Sequence, residues 1–102
     1  MTVIDAPTLA GSRDKAKELL STLPMDLSNS DVTLDCGDLI AATASFADEL
    51  VREILVVRHA RSLRAVRLGD EDFSTYLVQR AAAREVGDRL FLIASAWTQR
   101  LG

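Results

Sequence analysis

Two spacings of apolar residues alternate along this chain. Ala16, Leu19, Leu20 and Leu23 recur at intervals of three and four, the stripe of an amphipathic helix. Gly11-Ser12 opens that helix, with Ser12 as cap and Asp14 at the positive end of the dipole; Pro24 ends it. Ser28 to Asp31 reads as a loop. Val32, Leu34 and Cys36 then alternate with Thr33 and Asp35, which predicts a short strand over 32–36 with one polar face. The helical spacing returns at Phe46, Ala47, Leu50, Val51, Ile54 and Leu55, opened by Ser45 as N-cap. Asp48, Glu49, Arg52 and Glu53 are placed on its outer face, and Arg58-His59-Ala60-Arg61 at its negative end. Residues 63–68 form a second strand with Arg64 and Arg67 on opposite faces. Gly69-Asp70-Glu71-Asp72 begins a third helix through Phe73, Tyr76, Leu77 and Ala81, which Gly87 breaks. Asp88 is expected to cap a last helix carrying Leu90, Phe91, Ala94, Trp97 and Leu101. Thr2 to Leu9, with Pro7, supplies an edge strand or a lead-in.

Strand and helix in alternation, joined by short turns, predict an α/β class: a small mixed sheet with parallel strands and helices packed on it. The strands at 32–36 and 63–68 are expected to pair in parallel through the helix from Ser45. With 102 residues the chain fits one domain, residues 1–102. A net charge of −3 speaks against a general nucleic-acid binder. Cys36 is the single cysteine, so no internal disulfide forms. No apolar run reaches the ~18–20 residues of a bilayer span. The start, Met1-Thr2-Val3-Ile4-Asp5, lacks the basic and apolar regions of a signal peptide, so a cytoplasmic protein without membrane contact is expected.

Little in the sequence carries chemistry. Asp35 and Asp38 flank Cys36-Gly37, but no third ligand with metal spacing accompanies them. Asp38 is expected to hold the turn by Asx-type bonds. Acidic neighbours make Cys36 a core residue rather than a nucleophile. His59, with Arg58, Arg61, Arg64 and Arg67, forms a locally basic, solvated region. Ser45, followed by Asp48, approaches a capping box. These residues predict no catalytic centre, no metal and no cofactor.

The stretch Val32-Thr33-Leu34-Asp35, Gly37-Asp38-Leu39 and Ser45-Phe46-Ala47-Asp48-Glu49-Leu50 resembles the STAS domains of sulfate transporters and anti-sigma-factor antagonists. It is most similar to the STAS-like branch, a family of unknown function. Ser12-Arg13-Asp14-Lys15-Ala16 is similar to an earlier helix start of that branch, and the likeness runs over roughly residues 8 to 85. The resemblance implies a small sheet with helices packed on it. It also implies a regulatory, protein-binding role in a bacterium. In the antagonists an Asp-Ser-Ser-Gly or Asp-Ser-Thr-Gly loop precedes the second helix, and the residue before the glycine is phosphorylated. That position falls on Ser45. Thr43 stands where the Asp would be, Ala44 replaces the first hydroxyl residue, and Phe46 replaces the glycine.

The functional expectation is a non-enzymatic, cytoplasmic module that binds a protein, an anti-sigma-like protein or a histidine-kinase-like ATPase. The loop Ile40 to Ser45 and the start of the second helix form the partner surface, through Thr43, Ser45, Asp48, Glu49 and Arg52, with Ser45 and Thr43 as candidate phosphorylation sites. Two alternatives stand beside it. One is a structural module, a homodimer assembled through the C-terminal helix. The other is a small-ligand binder using Asp35, Asp38 and Thr43.

Overall fold

In a computed structural model, which describes residues 2–94, four strands form one parallel sheet. They are β1 (Thr2–Asp5), β3 (Asp31–Asp35), β5 (Ser62–Leu68) and β6 (Leu90–Ala94), lying side by side in chain order. Helices α1 (Arg13–Leu20), α2 (Ala44–Val51) and α3 (Glu71–Ala83) make the three crossovers. Every crossover steps the same way across the sheet, so right-handed connections put all three helices on one face, with α2 in the middle. The α/β class and the parallel pairing of the two central strands hold.

The core lies between that face and the helices. Ile4, Val32, Leu34, Leu63 and Ala65 point into it from the sheet, and Leu20, Phe46, Leu50, Phe73 and Leu77 from the helices. Phe46 of α2 and Phe73 of α3 meet with ring centroids 6.0 Å apart. On the other face Val3, Thr33, Arg64 and Phe91 share one register row, with Val3 59% and Phe91 48% exposed.

Beyond β1 and β3 the two chains stay together. Ala6 N–H donates to Asp35 O (2.9 Å), Ile40 N–H to Thr8 O (2.8 Å) and Thr43 N–H to Ala10 O (2.9 Å). Between these bonds β2 (Leu9–Ala10) pairs in parallel with β4 (Ala41–Ala42). This two-chain ribbon delivers the backbone directly to the starts of α1 and α2.

Several expectations are corrected. The cap of α2 is Thr43, whose Oγ1 accepts the Phe46 N–H at 3.2 Å; Ser45 lies exposed in the first turn. The bond from Thr43 N–H to Ala10 fixes Thr43 as the last extended residue (φ −95°, ψ 163°), so its hydroxyl is the one placed to cap. Arg64 and Arg67 are both exposed rather than on opposite faces, because a bulge between Ala65 and Leu68 shifts the register, with Arg67 at φ 54°. Leu90–Ala94 is a strand beside β5, preceded by a 3₁₀ turn (Gly87–Arg89), and not the start of a helix. A short run of consecutive apolar residues suits either element, and pairing with β5 decides it. The rest of that expected helix, with Trp97 and Leu101, lies outside the described residues.

After α2 the chain continues as a π-helical segment (Arg52–Val57), where Arg58 N–H reaches Glu53 O at 2.9 Å. The segment brings Arg58 inward. Its guanidinium is buried and donates to Leu20 O (3.0 Å) and Leu23 O (3.2 Å), while Nε pairs with Glu53. Arg58 therefore caps the carbonyl end of α1 instead of joining a solvated basic face. Arg89 acts alike on the end of the π-helical segment, donating to Leu55 O and Ala60 O.

Candidate functional site

The residues singled out in the sequence fall into three separate places. The first is a charge cluster between the helices. Asp48 and Glu49 are buried, 4% and 2% exposed, because α2 is flanked by helices on both sides. Arg84, just past α3, grips Asp48 with two parallel bonds of 2.9 Å. Arg13 of α1 reaches Asp48 at 2.8 Å and Glu49 at 3.3 Å, and Arg52 holds Glu49 at 2.7 Å. Arg84 first, and then Arg13, hold the Asp48 carboxyl down at about 2 against its own desolvation. Burial alone would raise Glu49; Arg52 and Arg13 outweigh it, and its carboxyl is lowered overall. These two carboxylates thus clamp three helices together and are not the exposed charged face expected of them. Arg13 and Arg84, the cations that make this possible, gave no signal of their own in the sequence.

The second place is the carboxyl end of the sheet, where open α/β folds commonly present their ligand-facing loops. Asp5 and Asp35 are register partners at the ends of β1 and β3. Arg67 forms a bidentate pair with Asp35 (2.8 and 3.0 Å), and Gly37 N–H donates to the same carboxylate (2.9 Å). Both lower the Asp35 carboxyl, Arg67 the more. Asp35, and not Asp38, therefore holds the turn. Arg67 lies so close over Gly37 that a Cβ there would displace its guanidinium, so the glycine leaves room for the Asp35–Arg67 pair. Cys36 beside them is buried, and desolvation together with Asp35 pushes its thiol up to about 12. It is inert as a nucleophile at neutral pH.

The third place is the end of the ribbon. Leu9 is 64% and Ile40 69% exposed, on neighbouring chains tied by the Ile40–Thr8 hydrogen bond. Leu9, Ala10, Gly11, Ala41, Ala42 and Thr43 line a shallow depression of about 160 Å³. Ala41, Thr43, Ala44 and Ser45 are exposed next to it. Two large apolar side chains thus stand in water on backbone that is hydrogen-bonded on both strands. Sequence reasoning placed the loop from Ile40 to Ser45 here but missed Leu9, which belongs to no apolar stripe.

His59 is exposed at φ 59°, in the turn that follows the π-helical segment. Among the described residues no group of His, Cys, Asp and Glu is arranged to hold a metal ion. No helix among them is long and apolar enough to cross a membrane. Comparison with family models, curated proteins and solved structures gives no match to this chain.

Proposed function

We propose that this chain is a regulatory module of the STAS-like kind, non-enzymatic and working in a bacterial cytoplasm, which binds a protein partner through the ribbon end around Leu9, Ile40, Thr43 and Ser45. The observation that carries this reading is the pair Leu9 and Ile40. An exposed apolar pair on fixed backbone has little conformational entropy to lose when a partner covers it. Asp48 and Glu49 serve the same surface indirectly, by fixing α2 between its neighbours. The carboxylates with the most marked geometry, Asp35 and Asp48, are already committed to arginines, which leaves them poor general bases and supports a binding role over catalysis. The resemblance to anti-sigma-factor antagonists names the partner class, a histidine-kinase-like ATPase or an anti-sigma-like protein. It also makes Ser45 the candidate phosphorylation site, with its hydroxyl free of the capping bond, and Thr43 stands beside it as a second candidate hydroxyl.

A photo-crosslinking residue placed at Ile40, with a second at Thr75 on exposed α3 as control, tests the reading in cells that express the chain. The expected result is an ATPase or anti-sigma-like protein joined to position 40 and not to position 75. Equal products from both positions, or none from position 40, would refute the surface. Assembly of the chain with itself is favoured by a different observation. The edge strand β6 leaves Phe91 and Ile93 48% exposed, so that reading moves from a helix to a strand, and sedimentation of a Phe91→Lys variant tests it.

A further inference from the structure

The ribbon end carries charge as well as apolar surface. Asp5 and Asp35 lie in register where the ribbon leaves the sheet, and Asp38 is exposed two residues before Ile40. Glu18 of α1 lines, with Asp5 and Lys15, a depression of about 230 Å³ on the β1 side. The cations among these groups are Arg67, which is bonded to Asp35 and feels Asp38 and Asp5 as well, and Lys15. On the two strands leading to Leu9 and Ile40, Asp5, Asp35 and Asp38 stand against the bonded Arg67, a net charge of −2, while Glu18 and Lys15 beside them cancel.

We infer that the partner's docking surface is basic, an apolar socket for Leu9 and Ile40 rimmed by lysine or arginine that meets Asp5, Asp38 and the Asp35–Arg67 pair. This rests on the binding role proposed above and names the chemistry of what is bound. A desolvated apolar centre with a charged rim is the usual anatomy of a protein interface. Complementary rim charges act mainly on the rate and the selectivity of association. The same charge speaks against a second copy as the occupant, since two such surfaces brought face to face would set net like charges together.

A phage-displayed library of random dodecapeptides is the probe. It is selected on the immobilised wild-type chain after depletion on a Leu9→Ser/Ile40→Ser variant. Enriched sequences should combine leucine, isoleucine or phenylalanine with two or more lysines or arginines. A synthesised winner should lose about tenfold in affinity between 50 and 500 mM NaCl, and a similar factor on an Asp5→Lys/Asp38→Lys variant. Circular dichroism and urea midpoints confirm that both variants are folded. Enriched peptides that are neutral or acidic, or that bind the Asp5→Lys/Asp38→Lys variant undiminished, would overturn the basic partner and leave the apolar platform standing. A library without enrichment over the Leu9→Ser/Ile40→Ser variant would overturn the platform itself. Wild-type dimers that dissociate on Ile40→Ser would overturn the inference in favour of a second copy.

Discussion

Replacing Asp48 by asparagine changes almost no volume but removes the charge that three helices share. The carboxylate accepts two bonds from Arg84 and one from Arg13. An asparagine amide can accept on one side only. Its NH₂ group would face a guanidinium, donor against donor, while Glu49 keeps its hold on Arg13 and Arg52. Breaking a buried pair by removing one partner costs about 3–5 kcal/mol. The Arg13 and Arg84 side chains are 47% and 33% exposed, so the freed cations regain water and the cost falls to the lower end of that range or just below, about 2–3 kcal/mol. The depressed carboxyl gives a second route to the magnitude. A group held at about 2 in the folded chain against 3.8 contributes about 2.4 kcal/mol at neutral pH. Because the folded value is the lower one, that stability is complete well above pH 4 and is lost as pH falls through 3.8 toward 2; about half remains at pH 3. Urea melts of wild type and Asp48→Asn at pH 7 and pH 3 measure both quantities. Asp38→Asn, on an exposed carboxylate, serves as control. A difference under 0.5 kcal/mol at pH 7, or one that does not shrink at pH 3, would refute the clamp.

Four further outcomes are expected. Arg58→Met should cost roughly 2–4 kcal/mol in a urea melt, since it strips the Leu20 and Leu23 carbonyls and leaves Glu53 without its inner partner; Arg58→Lys should recover only part. Thr43→Ala should lose about 1 kcal/mol while Ser45→Ala stays within about 0.5, by the same melt, and the reverse order would return the cap to Ser45. Gly37→Ala should push the Arg67 guanidinium off Asp35 at little cost to stability, and carboxyl NMR titration should find the Asp35 carboxyl moved back up toward its ordinary range. Cys36 should resist a thiol reagent at pH 8 in the native chain and react on addition of urea.

The elements with clean periodicity were legible. Strand β3, helices α1 to α3, the Ser12 cap and the parallel β3–β5 pairing follow from spacing and from the strand–helix–strand order. The departures arise where tertiary contact decides. The outward placement of Asp48 and Glu49 assumes that a helix has a single buried face, whereas the middle one of three helices is enclosed on both sides. Arg13 and Arg84, 35 and 36 positions away from Asp48, are what make that enclosure tolerable. The cap shifts from Ser45 to Thr43 because of a backbone bond to Ala10, more than thirty residues upstream. Arg67 departs from its expected face through a bulge that strand alternation does not encode. Leu9 and Ile40 belong to no stripe, so only the path of the ribbon puts them side by side.

The π-helical segment gives this chain a rotational setting as well as a cap. An α-helix turns about 100° per residue, and a segment that closes on the fifth residue accommodates one residue more before the chain moves on. Deleting Val56 or Val57, both solvent-facing, would let the segment relax to ordinary helix and lose nothing from the core. The closure of Arg58 on the fifth residue back would become an ordinary closure on the fourth, and the positions after the deletion would keep their phase, with Arg58 still at the end of α1. In evolutionary terms the segment is a slack link. Point substitutions at these two valines are cheap, and the loss of one residue is absorbed where it occurs, so this is where the chain would tolerate a one-residue gap that a regular helix would not.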